Sequence, residues 1–473
     1  MALYLLLGLA FVFSLRSFVG WRQGIALMIV LAALQDPLRK LTPGTPSWMV
    51  LATAPVFAAM VIGSLGGTRR WWGEFARYYP AVAKALLLLI ALSLPAAAIS
   101  ATYGDGSWML TVIGAFSYSV IFLAVIAGFH YPRKLADVRK VIGVYCLVHG
   151  VMLSGGVFEY LGWFSNWQAL GDDVLGYSWF RDMSGYRVNI IAGFYRSGDV
   201  MGWHAAAVST LSLVLAVTGR GERRRYWLVL SALAVIALLL CGRRKMVYML
   251  PVFALALGWI YWQAGRSSKI WALVGLLALP VASVWVVGDW LGEKSSPVRY
   301  YTETSGQTLD SFEEHGFRSL VDTYNQTGLF GAGLGTATPG SHNLNVERPR
   351  TWQESTSSRI LVELGVPGAL AFFGVMVSLM LSLWRLARQQ LRARSPPAQY
   401  VAGLVAFFLA NVGSLTVSGQ ILADPFIAAF LGFLVGLALS CARPQLAAAV
   451  AVRQSQDSPS SVSQANLIRN LPR

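Results

Sequence analysis

Apolar residues in this chain come in blocks of roughly twenty, separated by short polar connectors and two long ones. At about 1.5 Å rise per residue, such a block matches a hydrocarbon core about 30 Å thick. Backbone inside lipid must satisfy its own hydrogen bonds, so each block is expected to be a helix. The pattern predicts spans over Leu3–Leu15, Gly24–Leu34, Trp48–Leu65, Ala81–Ile99, Trp108–Phe129 and Val141–Leu161. After a polar loop it predicts Val200–Val217, Trp227–Leu240, Met246–Trp262 and Ile270–Val287. After a longer loop come Ile360–Trp384, Val401–Thr416 and Ile421–Leu439. The expected fold class is all-α, a polytopic transmembrane helical bundle of about 12–13 spans with two long extracytoplasmic loops.

The chain divides accordingly. Residues 1–161 are N-terminal transmembrane helices, 162–199 a first outer loop and 200–288 central transmembrane helices. Residues 289–359 are a long outer loop with short helices, and 360–441 are C-terminal transmembrane helices. The tail, 442–473, is rich in Ser, Gln and Asn and reads as disordered. The opening MALYLLLGLAFVFSL lacks a basic n-region and reads as a first helix, not as a cleaved signal peptide.

Charge sets the orientation. One set of connectors is basic: Arg16/Arg22, Arg69/Arg70/Arg77, Arg133/Lys134/Arg139/Lys140, Arg220 to Arg225, Arg266/Lys269 and Arg385 to Arg394. It alternates with neutral or mixed connectors. The positive-inside rule puts the basic set and the tail in the cytoplasm, and the N-terminus and both long loops outside. Two outer connectors break that rule, Asp36-Pro-Leu-Arg39-Lys40 and Gly242-Arg243-Arg244-Lys245. Snorkelling to headgroups is the plainer account. Binding of an anionic group at the outer surface is the sharper one, since boundary charge is a functional hypothesis by default.

Composition agrees with a membrane chain: of 473 residues 55% are hydrophobic and 13% charged, with a mean hydropathy of +0.54. The net charge of +16 resides in the short connectors, which argues for orientation and anionic lipid and against nucleic acid. Cys146, Cys241 and Cys441 lie in or beside apolar segments without a CxxC partner, so neither a disulfide framework nor a zinc site is suggested.

The long loops hold the candidate chemistry. The first carries Trp163, Trp167, Tyr177, Trp179, Tyr186 and Tyr195, which suit an interfacial belt and equally the apolar face of a sugar ring. It ends in Arg196-Ser-Gly198-Asp199, so Arg196 is expected at an outer helix N-terminus, where an anion is favoured. In the second, Ser311 to Gln326 reads as an amphipathic helix bearing Glu313, Glu314, His315 and Arg318. Gly331-x-Gly333-x-Gly335 follows no strand, so tight turns against a neighbouring helix fit better than a dinucleotide site. Next come His342-Asn343, Glu354-Ser355 and Glu363-Leu-Gly365-Val-Pro-Gly368. Outer arginines could hold a pyrophosphate leaving group, and Glu or His could take the proton of an attacking hydroxyl. His149 and His204 read as helix–helix hydrogen-bond partners. Asp424-Pro425 marks a late-starting helix or lines a polar cavity.

From Arg196 to Gly368 the sequence resembles the O-antigen ligase and O-antigen polymerase superfamily. Arg196-Ser-Gly198 is similar to its Arg-x-Gly segment, and Gly242-Arg243-Arg244 to its helix start. The glycine run followed by Glu363-Leu-Gly365-x-x-Gly368 is similar to its long periplasmic loop and the helix after it. The resemblance implies metal-independent transfer of a glycan from undecaprenyl pyrophosphate to an acceptor hydroxyl, with no cofactor. It implies pyrophosphate binding by Arg196 and Arg243 or Arg244, with Arg318 a further candidate. Where the family often has His-Asn, this chain has Glu354-Ser355, and His342-Asn343 comes earlier. Glu354 is the favoured catalytic base, because a helix start is better positioned than a Gly- and Pro-rich loop, and His342 is the alternative.

The expected function is a multi-pass enzyme of a bacterial inner membrane that polymerises exopolysaccharide or O-antigen repeats at the periplasmic face. Its expected partners are the lipid-linked oligosaccharide donor, a glycan or lipid-linked acceptor, membrane lipids and other polysaccharide assembly proteins. The alternatives are a ligase moving finished glycan to lipid A core or another acceptor, and a transporter or flippase of the same lipid-linked sugars.

Overall fold

The computed structural model describes residues 1–66, 70–171, 180–183, 186–219, 221–265, 318–344, 346, 353, 355–417 and 423–443. The order begins α1 (Ala2–Val19), α2 (Trp21–Lys40), a 3-10 turn (Ser47–Leu51), α3 (Thr53–Gly66), α4 (Trp71–Tyr78), α5 (Pro80–Ser100), α6 (Trp108–His130) and α7 (Leu135–Tyr160). It continues with β1 (Phe180–Met183), β2 (Tyr186–Asn189), α8 (Gly198–Thr218), α9 (Glu222–Leu240), α10 (Arg244–Val247) and α11 (Met249–Gln263). Then come α12 (Ser319–Thr327), a 3-10 turn (Ser341–Asn343), α13 (Thr356–Arg392), α14 (Ala398–Val417) and α15 (Pro425–Ser440).

The fold is an all-α, multi-pass bundle. Among the described residues, eight helical segments are long and apolar enough to cross a membrane, and α14 and α15 are shorter apolar helices. Each predicted span falls on helical residues except Ile270–Val287, which lies outside the described residues; Trp48–Leu65 takes in the 3-10 turn and α3, and Met246–Trp262 runs over both α10 and α11. One feature of the first outer loop was not expected, an antiparallel hairpin pairing Phe180 with Asn189 and Met183 with Tyr186. Its strands are four residues each, the minimum over which alternation can be read, and Arg181-Asp182 breaks the alternation in β1.

Burial grades from rim to centre. In α8, 94% of the most apolar window is buried, against 17% in α1. α1 turns Tyr4, Leu5, Phe11, Val12 and Leu15 outward, as a lipid-facing helix does. α6 and α15 pack backbone against backbone. A Cβ on Gly432 would lie 2.1 Å from Ile121 O, and one on Gly436 the same distance from Val125 O. This is the small-residue approach by which membrane helices gain dispersion contact without a hydrophobic driving force.

Hydrogen bonds between connectors sort the two ends of the bundle. At one end Arg22 Nε donates to Tyr131 O (3.0 Å), Tyr79 Oη to Leu439 O (2.7 Å) and Arg443 Nη1 to Phe129 O (3.3 Å). At the other, Lys40 Nζ donates to Gly193 O (2.8 Å), and Ser100 Oγ (2.6 Å) and Tyr103 Oη (2.6 Å) donate to Leu334 O and Ala332 O. The first is the basic end and the second carries both long loops, the sorting that the charges predict.

α13 is broken. Gly365 has φ 64°, and Pro367 removes a helical donor and disfavours α geometry before it. The freed groups pair with the glycine loop: Ala332 N donates to Val362 O (2.6 Å) and Val366 N to Leu329 O (2.8 Å). Gly331 sits there at φ 74°, where a Cβ would lie 2.5 Å from Val362 O. The glycine run therefore forms tight turns against a helix, as its sequence suggests.

Candidate functional site

The segment before α8 is pinned on both sides. Glu159, at the end of α7, accepts Ala192 N (3.1 Å) and Gly193 N (2.6 Å), while Lys40 of α2 holds the Gly193 carbonyl. Ser197 is the N-cap of α8 and accepts from Val200 N. Arg196 consequently lies at this helix N-terminus, on the loop-bearing end.

Its guanidinium meets two carboxylates. Nη1 is 3.4 Å from Asp36 Oδ1 and Nη2 is 2.5 Å from Asp424 Oδ2. Asp36 also accepts Arg196 N (3.1 Å). Asp424 caps α15, accepting Phe426 N (2.8 Å) and Ile427 N (3.0 Å), as the sequence reading of Asp424-Pro425 as a helix start expects. Burial pulls the Arg196 pKa down, but Asp424 and Asp36 more than reverse this, so the net shift is upward. Its charge is constant at any ordinary pH.

Arg243 reaches the same helix start from the break between α9 and α10. Gly242 makes the turn at φ 67°. Arg243 Nη2 is 3.1 Å from Asp199 Oδ2, and Lys245 Nζ is 2.9 Å from Asp199 Oδ1. Gly198 permits the approach, since a Cβ there would lie 2.3 Å from Ile190 and 3.0 Å from Cys241 O. Arg243 Nε is buried with no hydrogen-bond partner among the described residues. The two connectors that defy the positive-inside rule thus meet at one helix terminus. Asp36 and Asp424 fix Arg196, and Asp199 fixes Arg243 and Lys245, while Arg39 and Lys40 donate to the backbone carbonyls of Thr45 and Gly193.

Directly behind Arg196 is an aromatic stack. His149 and His204 stack at 4.0 Å between centroids. His149 Nδ1 pairs with Tyr195 Oη (3.1 Å), and His204 Nδ1 with Tyr145 Oη (2.8 Å). Both histidines therefore tie α7 to the α8 side of the bundle, the helix–helix role that the sequence suggests.

A second charged pair is sealed beneath the long loop. Glu363 is 0% and Arg359 3% exposed. Glu363 Oε1 accepts Ala337 N (2.9 Å) and Thr338 Oγ1 (2.8 Å) and lies 3.5 Å from Arg359 Nε. Arg359 Nη2 donates to Thr338 Oγ1 and Ser117 Oγ, both at 2.8 Å. The Tyr118 hydroxyl lies beside Glu363. The pair holds residues 336–338 on α13 just before the 3-10 turn that contains His342.

The other candidates are placed less fully. Arg244 opens α10 beside Arg243. Arg318 is exposed at the N-cap of α12, with no ion pair to Asp36, Asp199 or Asp424, so the described contacts do not join it to the Arg196 cluster. His342 lies in the Ser341–Asn343 turn, and Asn343 Nδ2 reaches Ser47 Oγ (3.5 Å) near the end of α2. Glu354 and His315 lie outside the described residues, as does the first part of the helix expected over Ser311 to Gln326, whose second part is α12.

Sequence reading did not anticipate the carboxylate clamps. Asp36 is the acidic member of a basic outer connector, a signal that was present. Nothing in the sequence brings residue 36 beside 196 or 424. No family model matches the chain, and no curated protein matches it.

Proposed function

We propose that this protein is a membrane glycosyltransferase that lengthens a polysaccharide from a polyprenyl-pyrophosphate-linked donor at the loop-bearing end of the bundle, the periplasmic side of a bacterial inner membrane. One observation carries the reading. Cations that violate the orientation rule converge on the N-terminus of α8, with the buried Arg243 Nε lacking a partner among the described residues. Such a group suits a pyrophosphate at headgroup depth, and carboxylates that fix the guanidinium planes spare reorganisation as the leaving group gains charge.

In this reading an acceptor hydroxyl oxygen attacks the anomeric carbon of the donor. The bond from that carbon to the pyrophosphate oxygen breaks, and its electron pair leaves with the pyrophosphate. The hydroxyl proton goes to Glu354 or His342. Arg196 and Arg243 carry the developing charge, and Arg244 stands next to Arg243 in sequence. A ligase would use the same machinery with another acceptor. Flippase activity has one observation of its own in the broken α13 with its buried charges, a form that transporters share.

Arg243→Ala is the informative substitution. Asp199 keeps Lys245, so no carboxylate is stranded, whereas Arg196→Ala leaves Asp36 and Asp424 facing each other. In cells with matched membrane levels, Arg243→Ala should cut long-chain polysaccharide by about 100-fold while single lipid-linked repeats accumulate outside. Normal chain lengths would remove Arg243 from the reaction, and repeats trapped on the cytoplasmic face would favour a flippase.

A further inference from the structure

The basic end has a cleft of its own, away from the Arg196 cluster. It is open, about 490 Å³ in volume, and lined by Arg139 of α7, Thr218 and Gly219 at the end of α8, and Glu222 and Arg223 in the first turn of α9. Neither arginine has an ion pair among the described residues. Arg22 and Arg443, at the same end, instead donate to backbone carbonyls of the α6 terminus.

The surface beyond the cleft is apolar. α9 exposes Tyr226, Val229, Leu233 and Ile236, a spacing that puts all four on one helix face. On α7, Leu147 and Val151 are exposed beside it. The two helices close against each other between these rows, with Gly150 so near that a Cβ would lie 2.8 Å from Leu230. Tyr226, at the top of the stripe, marks headgroup depth. Two unpaired arginines with a hydroxyl and a carboxylate thus stand over a two-helix apolar groove.

We infer that this cleft and groove form a site for an anionic glycerophospholipid of the leaflet at the basic end. Arg139 and Arg223 take the phosphate diester, Thr218 and Glu222 meet headgroup hydroxyls, and the acyl chains lie along Val229, Leu233 and Ile236. The Glu222 carboxylate disfavours a phosphate dianion, and it accepts from a hydroxyl, so a headgroup such as glycerol fits best. This site is independent of the glycan-transfer reading.

The test uses the purified, delipidated full chain with phosphatidylglycerol, phosphatidylcholine or glycerol 3-phosphate, reading bound lipid by native mass spectrometry and melting temperature. Phosphatidylglycerol should bind and raise the melting temperature, and the other two should not. Arg139→Gln/Arg223→Gln should weaken phosphatidylglycerol about 30-fold, from two arginines near an anionic surface. The equally charged control Arg392→Gln/Arg394→Gln, on exposed residues of the same end, should bind as the parent does. Three outcomes overturn the inference: equal loss in the control, which means charge alone; no loss in the Arg139/Arg223 variant; or equal stabilisation by glycerol 3-phosphate, which means a soluble phosphate and not a lipid.

Discussion

Arg359 and Glu363 stand one helical turn apart in a sealed environment, where an ion pair stabilises little but losing half of it costs much. Removing one partner strands a buried charge at about 3–5 kcal/mol, while replacing both by apolar side chains is often neutral. Arg359→Met should therefore unfold at lower temperature than the Arg359→Met/Glu363→Met double variant, despite carrying one substitution fewer. The double variant still frees Ala337 N and Thr338 Oγ1 from their acceptor, so its loss should centre on residues 336–343. Melting curves and hydrogen exchange of that loop check both points. A double variant no more stable than the single one would mean that the two charges act separately. Arg196 follows the same physics with two carboxylates, which is why substituting Arg243 interrogates the chemistry and substituting Arg196 interrogates the fold.

Helices were legible because lipid leaves few alternatives: an apolar block of sufficient length must close its hydrogen bonds locally. Helix ends were legible where one residue decides them, as at Gly242, Ser197 and Asp424-Pro425. The break in α13 interrupts what the apolar pattern predicts as one span, Ile360–Trp384, although Gly365-Val-Pro367 carries its signal; its partner has no signal, because the loop's claim on Val362 O is a tertiary event. The same holds for the site. Arg196 and Arg243 could be picked out as outer cations, whereas the clamps from Asp36 and Asp424 depend on α2 and α15 meeting α8. The spacing Gly432-x-x-x-Gly436 makes a sharper statement about packing. Gly436→Val should push α15 from α6, since its Cβ would overlap the Val125 carbonyl, at a cost of about 1–3 kcal/mol or more. Gly374→Val, where nothing lies within 4 Å, should cost much less. Equal melting temperatures for the two variants would contradict this account of the α6–α15 contact.

For the whole molecule, the described connectors divide into a basic end and a loop-bearing end, and the charge bias assigns compartments to them. A reporter inserted at Trp163 should read as extracytoplasmic and one placed after Arg443 as cytoplasmic. The same side for both, or the reverse assignment, would overturn the orientation and with it the placement of the Arg196 cluster. In the proposed reading that cluster serves a surface reaction on a lipid-linked substrate, with the donor's pyrophosphate at headgroup depth and its glycan among the long loops. The most direct measurement is reconstitution of the purified protein into liposomes with a polyprenyl-pyrophosphate-linked repeat, following glycan length and free polyprenyl pyrophosphate together. The account predicts that both rise in step, one lipid pyrophosphate for each repeat added, and that Arg243→Ala abolishes both without unfolding the protein. Movement of intact lipid-linked repeat across the bilayer, with no released pyrophosphate, would contradict it.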